Sequence, residues 1–128
     1  MCSSDLQGID TAQTFDLDVV TSQSMENPVY YVQYAHARVA SIARRAAEAG
    51  IARAPLAEVD LGHLTHEREL DLLRALAEYP DVLASAADLR APHRVTTWVR
   101  DFASRFHGFY RDCRVITDDP AQIGRAHV

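Results

Sequence analysis

The sequence predicts an all-α fold, an antiparallel helical bundle, and three observations carry that prediction. Apolar residues recur every three to four positions through four stretches, which is one face of a helix at about 100° per residue. Each longer stretch opens with residues that start helices: Asn27-Pro28, Thr65 ahead of Glu67 and Glu69, and Ala91-Pro92. No segment alternates as a convincing strand, and neither a solenoid-length repeat nor a low-complexity run interrupts the pattern.

The two ends of the chain, Met1-Cys-Ser-Ser-Asp-Leu6 and Ile123-Gly-Arg-Ala-His-Val128, are related. Written as ATC GGA AGA GCA CAC, the codons of Ile-Gly-Arg-Ala-His have a reverse complement that reads Val/Met-Cys-Ser-Ser-Asp, and this sequence resembles a common sequencing adapter. Residues 1–6 and 123–128 are therefore expected to be sequencing artefacts around natural content of 7–122, an internal piece of a longer gene. Residues 7–26 read as a connector, extended or a short helix, in which Asp16 and Asp18 are a solvated face rather than a metal site.

Asn27 is a good N-cap and Pro28 loses nothing in a first turn, since its missing N–H had no intrahelical acceptor there. That helix runs to about Ala49 with Val32, Ala35, Val39, Ile42 and Ala46 as its core face, and Gly50 suits a left-handed C-terminal cap. A loop over 51–62 follows. Thr65 caps a second helix over 66–79, with Leu70, Leu73, Ala77 and flanking Leu72 and Leu76 apolar, and Pro80 ends it. A short third helix over 81–89 buries Val82, Leu83, Ala86 and Leu89. The last helix, 92–115, puts Val95, Trp98, Val99, Phe102, Phe106, Phe109 and Cys113 on one face.

The length of 128 residues allows one domain, and 48 % hydrophobic with 24 % charged residues excludes a disordered chain. All thirteen basic residues are arginine, yet the net charge is −5, so any nucleic-acid surface has to be local. With Cys2 in a tail, Cys113 is left alone, which excludes an internal disulfide and suits a reducing, cytoplasmic setting; it reads as an inert core thiol. No apolar run is long enough to span a membrane, so no membrane partner is expected. His63 and His66 lack a second pair at zinc spacing, His36 reads as packing, and no metal site is expected.

Two stripes border the core faces. On the first helix Tyr31, Tyr34, Arg38 and Arg45 lie roughly 90° from the core. On the last, Arg100, His107, Arg111 and Arg114 cluster, with Tyr110 between them and the core and no carboxylate on that flank. The opposite flank pairs Asp101 with Arg105 at i, i+4. Tyrosines beside a core usually wrap its edge, and a charged stripe is usually a solvated face. The same residues are also those that stack on unpaired bases and meet phosphates. If both stripes serve one loop of RNA, their helices must pack as neighbours with the stripes at the seam.

The run Asn27-Pro-Val-Tyr-Tyr-Val-Gln-Tyr-Ala-His-Ala-Arg38 resembles the segment by which arginyl-tRNA synthetases enter their helical anticodon-binding domain. Pro92-His-Arg and Phe106-His-Gly-Phe-Tyr-Arg-Asp-Cys-Arg-Val115 resemble a later helix of the same domain, so the likeness covers nearly all of 14–122. The resemblance implies an anticodon-binding bundle of a class I aminoacyl-tRNA synthetase, truncated before its last helix, which the Asp118-Asp-Pro120 signal would begin. It implies a role in arginine–tRNA ligase, which joins arginine to its tRNA using ATP with magnesium. The partners would be the anticodon loop of the arginine tRNA and an upstream catalytic domain of the same chain.

By position Tyr31, Tyr34 and Tyr110 match aromatics that approach the anticodon loop in that family, while Arg114 stands where some members have a large aromatic. The His-x-Gly-His and Lys-Met-Ser-Lys-Ser signatures are absent. No catalytic residue and no cofactor are then expected in this piece, which should be inactive alone. The resulting tRNA-binding set is Tyr31, Tyr34, Arg38, Arg100, His107, Tyr110, Arg111 and Arg114. A stand-alone helical protein-interaction module is the alternative, and a small enzyme built on the scattered histidines the weakest reading.

Overall fold

The computed structural model describes residues 16–116. The tails 1–6 and 123–128, the start of the connector with Phe15, and the Asp118–Pro120 signal lie outside them. The described residues are helical without a strand: α1 (Leu17–Thr21), α2 (Pro28–Glu48), α3 (Glu67–Asp88) and α4 (His93–Asp112). The loop between α2 and α3 holds two single 3-10 turns, Leu56–Glu58 and Leu61–His63.

Asn27 joins connector to bundle. Its Oδ1 accepts from the Val29 N–H at 3.1 Å, while Nδ2 donates to the carbonyls of Val20 at 2.9 Å and Ser22 at 3.0 Å. Every polar atom of that side chain is used, which is why an asparagine is buried here. At the other end of α2, Gly50 takes φ +73°; its N–H donates to the Ala47 carbonyl and that of Ile51 to the Ala46 carbonyl, the Schellman closure expected of a glycine after a helix.

α3 departs from expectation at both ends and in the middle. Its cap is His66 rather than Thr65: the ring Nδ1 accepts from the Arg68 N–H at 3.1 Å, and the Glu69 carboxylate accepts from the His66 N–H at 3.0 Å. Starting one residue later puts Glu69 at the third helical position, where it closes a capping box and lies 97 % buried, being 3 % exposed. Pro80 does not end the helix, so the two expected helices over 66–79 and 81–89 are one. Proline there removes the bond to the Leu76 carbonyl. Leu76 itself is exposed, and α4 clamps the adjoining turn: Trp98 lies 4.5 Å from the Tyr79 ring, and its indole N–H donates to the Ala75 carbonyl at 3.2 Å. The helix then closes with Arg90 at φ +49°, the Arg90 and Ala91 N–H groups reaching the Ala87 and Ala86 carbonyls.

α3 and α4 form an antiparallel hairpin, since Arg68 meets Asp112, Asp71 meets Arg105, and Ser85 meets Arg94. α2 packs on α4 through a cluster of Ala35, Ala103 and Phe106, flanked by Tyr31, Val32, Ile42, Leu72, Phe109 and Tyr110. The small Ala75 and Ala103 are each 2 % exposed, so the helix surfaces approach closely where those alanines stand. Several expected core positions are instead on the surface. Val39 of α2 is exposed, where Ala35 with Val32 and Ile42 is the face turned to the core; Leu76, Ala77, Leu83 and Leu89 of the α3 region are exposed because Ala75 and Ala86 set the face that α3 turns inward. α4 also ends sooner than expected, at Asp112. Cys113 turns extended and tucks its thiol into the protein, which takes Arg114 off the helix.

Candidate nucleic-acid interface

α2 and α4 bring five of the eight expected residues into one cluster at their seam. Arg38 sits at its centre: Nη1 donates to His107 Nδ1 at 3.1 Å, and Nη2 reaches the Tyr34 hydroxyl at 3.4 Å. Its Cζ lies 4.6 Å from the centroids of both the Tyr34 and Tyr110 rings, a guanidinium between two aromatic faces. The His107 ring meets the Tyr31 ring edge-on at 4.7 Å, and His107 Nε2 lies 3.4 Å from the Tyr31 carbonyl. Burial pushes the His107 imidazole below its ordinary value; the Tyr31 carbonyl opposes this and the Arg38 charge adds to it.

Charge separates Arg38 from Arg105 and Arg68, the two arginines that tie α3 to α4 through carboxylates. Arg105 is held by Asp101 at 2.9 Å and by Asp71, and Arg68 by Asp112 at 3.0 Å. Arg38 has no carboxylate partner among the described residues; aromatic faces, a hydroxyl and a neutral imidazole surround it. A cation seated this way keeps most of its attraction for an incoming anion.

The remaining expected residues are placed differently. Arg100 is exposed on α4, about two turns before His107. Arg111 is exposed but pairs with its neighbour Asp112, Nε to Oδ1 at 2.8 Å, which raises its pKa. The expectation of a flank without a carboxylate is thus corrected: Asp112 reaches across it, its own carboxyl held below the usual range by Arg111 and Arg68. Arg114 lies beyond the helix, so the wheel that grouped it with Arg100 does not apply.

One residue was missed. Tyr30 stacks on Tyr34 with centroids 6.2 Å apart and planes 17° from parallel, extending the aromatic row; its i, i+4 spacing from Tyr34 was the available signal. Elsewhere, His66 is engaged as a cap and His63 lies 3.5 Å from Asp60. Among the described residues no three His, Cys, Asp or Glu gather as a metal site, and no helix is long and apolar enough to cross a membrane.

A helical bundle that presents tyrosines around an uncompensated arginine has the make-up of an RNA-binding module. The chain matches the DALR anticodon binding domain over residues 32–127 and belongs to that family. It is similar to the arginine–tRNA ligase of Syntrophotalea carbinolica, 50 % identical over 119 residues, which cover 93 % of this chain and 21 % of the relative. The arginine–tRNA ligase of Bacillus subtilis is 43 % identical over 123 residues, 96 % of this chain and 22 % of the relative. A solved structure described as an arginyl-tRNA synthetase, from Campylobacter jejuni, superposes with a TM-score of 0.72 at 25 % identity, over 96 % of this chain and 27 % of that one. The chain spans about a fifth of the length of the curated relatives it matches.

Proposed function

We propose that the chain recognises the anticodon loop of the tRNA for arginine, as part of an arginine–tRNA ligase that joins arginine to that tRNA using ATP with magnesium. Arg38 carries the reading: a cation without a carboxylate, held between Tyr34 and Tyr110 at the α2–α4 seam. Phosphate meets the guanidinium, and unpaired bases stack on the outer faces of the tyrosines. Tyr31 and His107 complete the cluster, and Arg100 offers a charge further along α4. Arg111 and Arg114 stand at its margin. A seam lined by tyrosine, arginine and histidine, rather than by bare apolar side chains, favours RNA over a protein partner.

The test is binding of a fluorescent anticodon stem-loop of the arginine tRNA to the chain, against a stem-loop with an unrelated anticodon. Tyr34→Ala and Tyr110→Ala should each weaken binding about tenfold or more, since a base–aromatic stack is worth about 1–3 kcal/mol. Equal affinity of wild type and both variants would return the tyrosines to the edge of the core. Activation of arginine belongs, on this reading, to the catalytic part of the ligase. The chain by itself should support no arginine-dependent ATP–pyrophosphate exchange, and turnover in that assay would contradict the assignment.

A further inference from the structure

The hydrogen bonds around His107 fix more than its position. A guanidinium has no acceptor, so in the 3.1 Å contact Arg38 Nη1 must donate and His107 Nδ1 must accept. The imidazole proton is then on Nε2, which faces the Tyr31 carbonyl at 3.4 Å. Both ring nitrogens are committed within the protein, one to each end of the α2 strip that carries Tyr31, Tyr34 and Arg38. The half-buried ring also neighbours three others, Tyr31 at 4.7 Å, Tyr34 at 5.8 Å and Phe106 at 6.1 Å.

We infer that His107 is a positioning residue rather than an RNA contact: as the neutral Nε2–H tautomer it holds Arg38 between Tyr34 and Tyr110, and protonating it unseats Arg38. The inference rests on the proposed RNA surface and names how that surface is regulated. A protonated ring has no acceptor at Nδ1, so the bond to Arg38 is lost and two cations face each other across it. From α2, His107 is faced by Arg38 and by the rings of Tyr31 and Tyr34; on its own helix Phe106 adjoins it, and Tyr110 and Arg111 stand one turn further on. On α3, Arg68 is set against Gly108, the residue after His107, and is turned to Asp112. No carboxylate among the described residues contacts the imidazole to compensate a second cation there, and burial already favours the neutral ring. Anion binding at Arg38 should therefore weaken on mild acidification, although acid ordinarily adds positive charge and favours nucleic acid.

Two variants separate the roles. An amide carries an acceptor and a donor at nearly the spacing of the two ring nitrogens but does not titrate, so His107→Gln should keep the bridge. His107→Phe fills the space without either bond. In nitrogen-15 spectra of the free chain, His107 should be the Nε2–H tautomer at neutral pH, with a midpoint below the ordinary imidazole range. Arg38 guanidinium and Tyr34 and Tyr110 ring signals should move with that midpoint, and stay still in His107→Gln. An Nδ1–H tautomer, or Arg38 signals indifferent to the titration, overturns the inference without any RNA present.

With the arginine anticodon stem-loop as probe, wild type should lose affinity toward acid and His107→Gln should stay flat. His107→Phe should bind about threefold to tenfold more weakly at neutral pH, the measure of one net hydrogen bond. If a folded His107→Gln binds as weakly as His107→Phe, the ring touches RNA itself and the positioning role is wrong. If no variant binds the stem-loop while the Arg38 and tyrosine signals still co-titrate with His107, the RNA reading fails and the positioning role stands.

Discussion

Arg38 and Arg111 are chemically identical cations in opposite surroundings, one between two tyrosines and a histidine, the other against Asp112. Local context of this kind decides what a residue contributes, and for His107 it also sets a sign. Because the folded chain holds the ring below its ordinary value, the unfolded chain takes up the proton first. The stability owed to neutral His107 is fully present above the ordinary value of about 6.5, and falls as pH drops from there toward the lower folded value. Denaturant unfolding at pH 7 and pH 5 should accordingly show a loss at pH 5 that is smaller in His107→Gln. Identical losses in the two proteins would show that the ring titrates alike in both states.

At the scale of the element, α3 bears two backbone features that single substitutions can test. Pro80 interrupts the hydrogen bonding of a helix that continues through it, so Pro80→Ala should restore the bond to Leu76 and raise stability by about 1–3 kcal/mol. Had the proline separated two helices, alanine there would gain little. Arg90 pays the steric cost of φ +49°, and Arg90→Gly should add about 1 kcal/mol, read as a shift in the unfolding midpoint. The starts and stops written in local chemistry were legible in the sequence: Asn27 with Pro28, and Gly50. Continuity through Pro80 was not, because it depends on Trp98 and Tyr79, which lie 19 positions apart in the chain and meet only in the hairpin. Nor was the His66 cap, since histidine is not among the residues that usually cap helices.

Across the whole molecule, two helical wheels drawn independently meet at one seam: periodicity grouped Tyr31, Tyr34 and Arg38 on one helix and His107 and Tyr110 on the other, while the family resemblance was what pointed them to RNA. Periodicity failed where a side chain outreached its wheel position or the helix ended. Adjacent residues point about 100° apart, yet the long Arg111 side chain bends back to Asp112, and Arg114 left the helix with Cys113. These differences bear on binding because the chain carries a net charge of −5, so long-range attraction to RNA is weak and affinity must come from a few local cations. Each phosphate contact to a single-stranded loop contributes about 0.7 to the slope of log affinity against log salt. Arg38→Ala should therefore lower the slope by about that amount, and Arg100→Ala should do the same if its exposed side chain reaches the backbone. Arg111→Ala should lower it less, because removing Arg111 also leaves Asp112 with only Arg68, and the charge near the RNA was already largely balanced. Stem-loop titrations over a series of salt concentrations measure all three slopes. If Arg111→Ala flattens the slope as much as Arg38→Ala, the carboxylate pairing does not decide which arginines meet phosphate, and the RNA lies along the outer flank of α4 instead of over the seam.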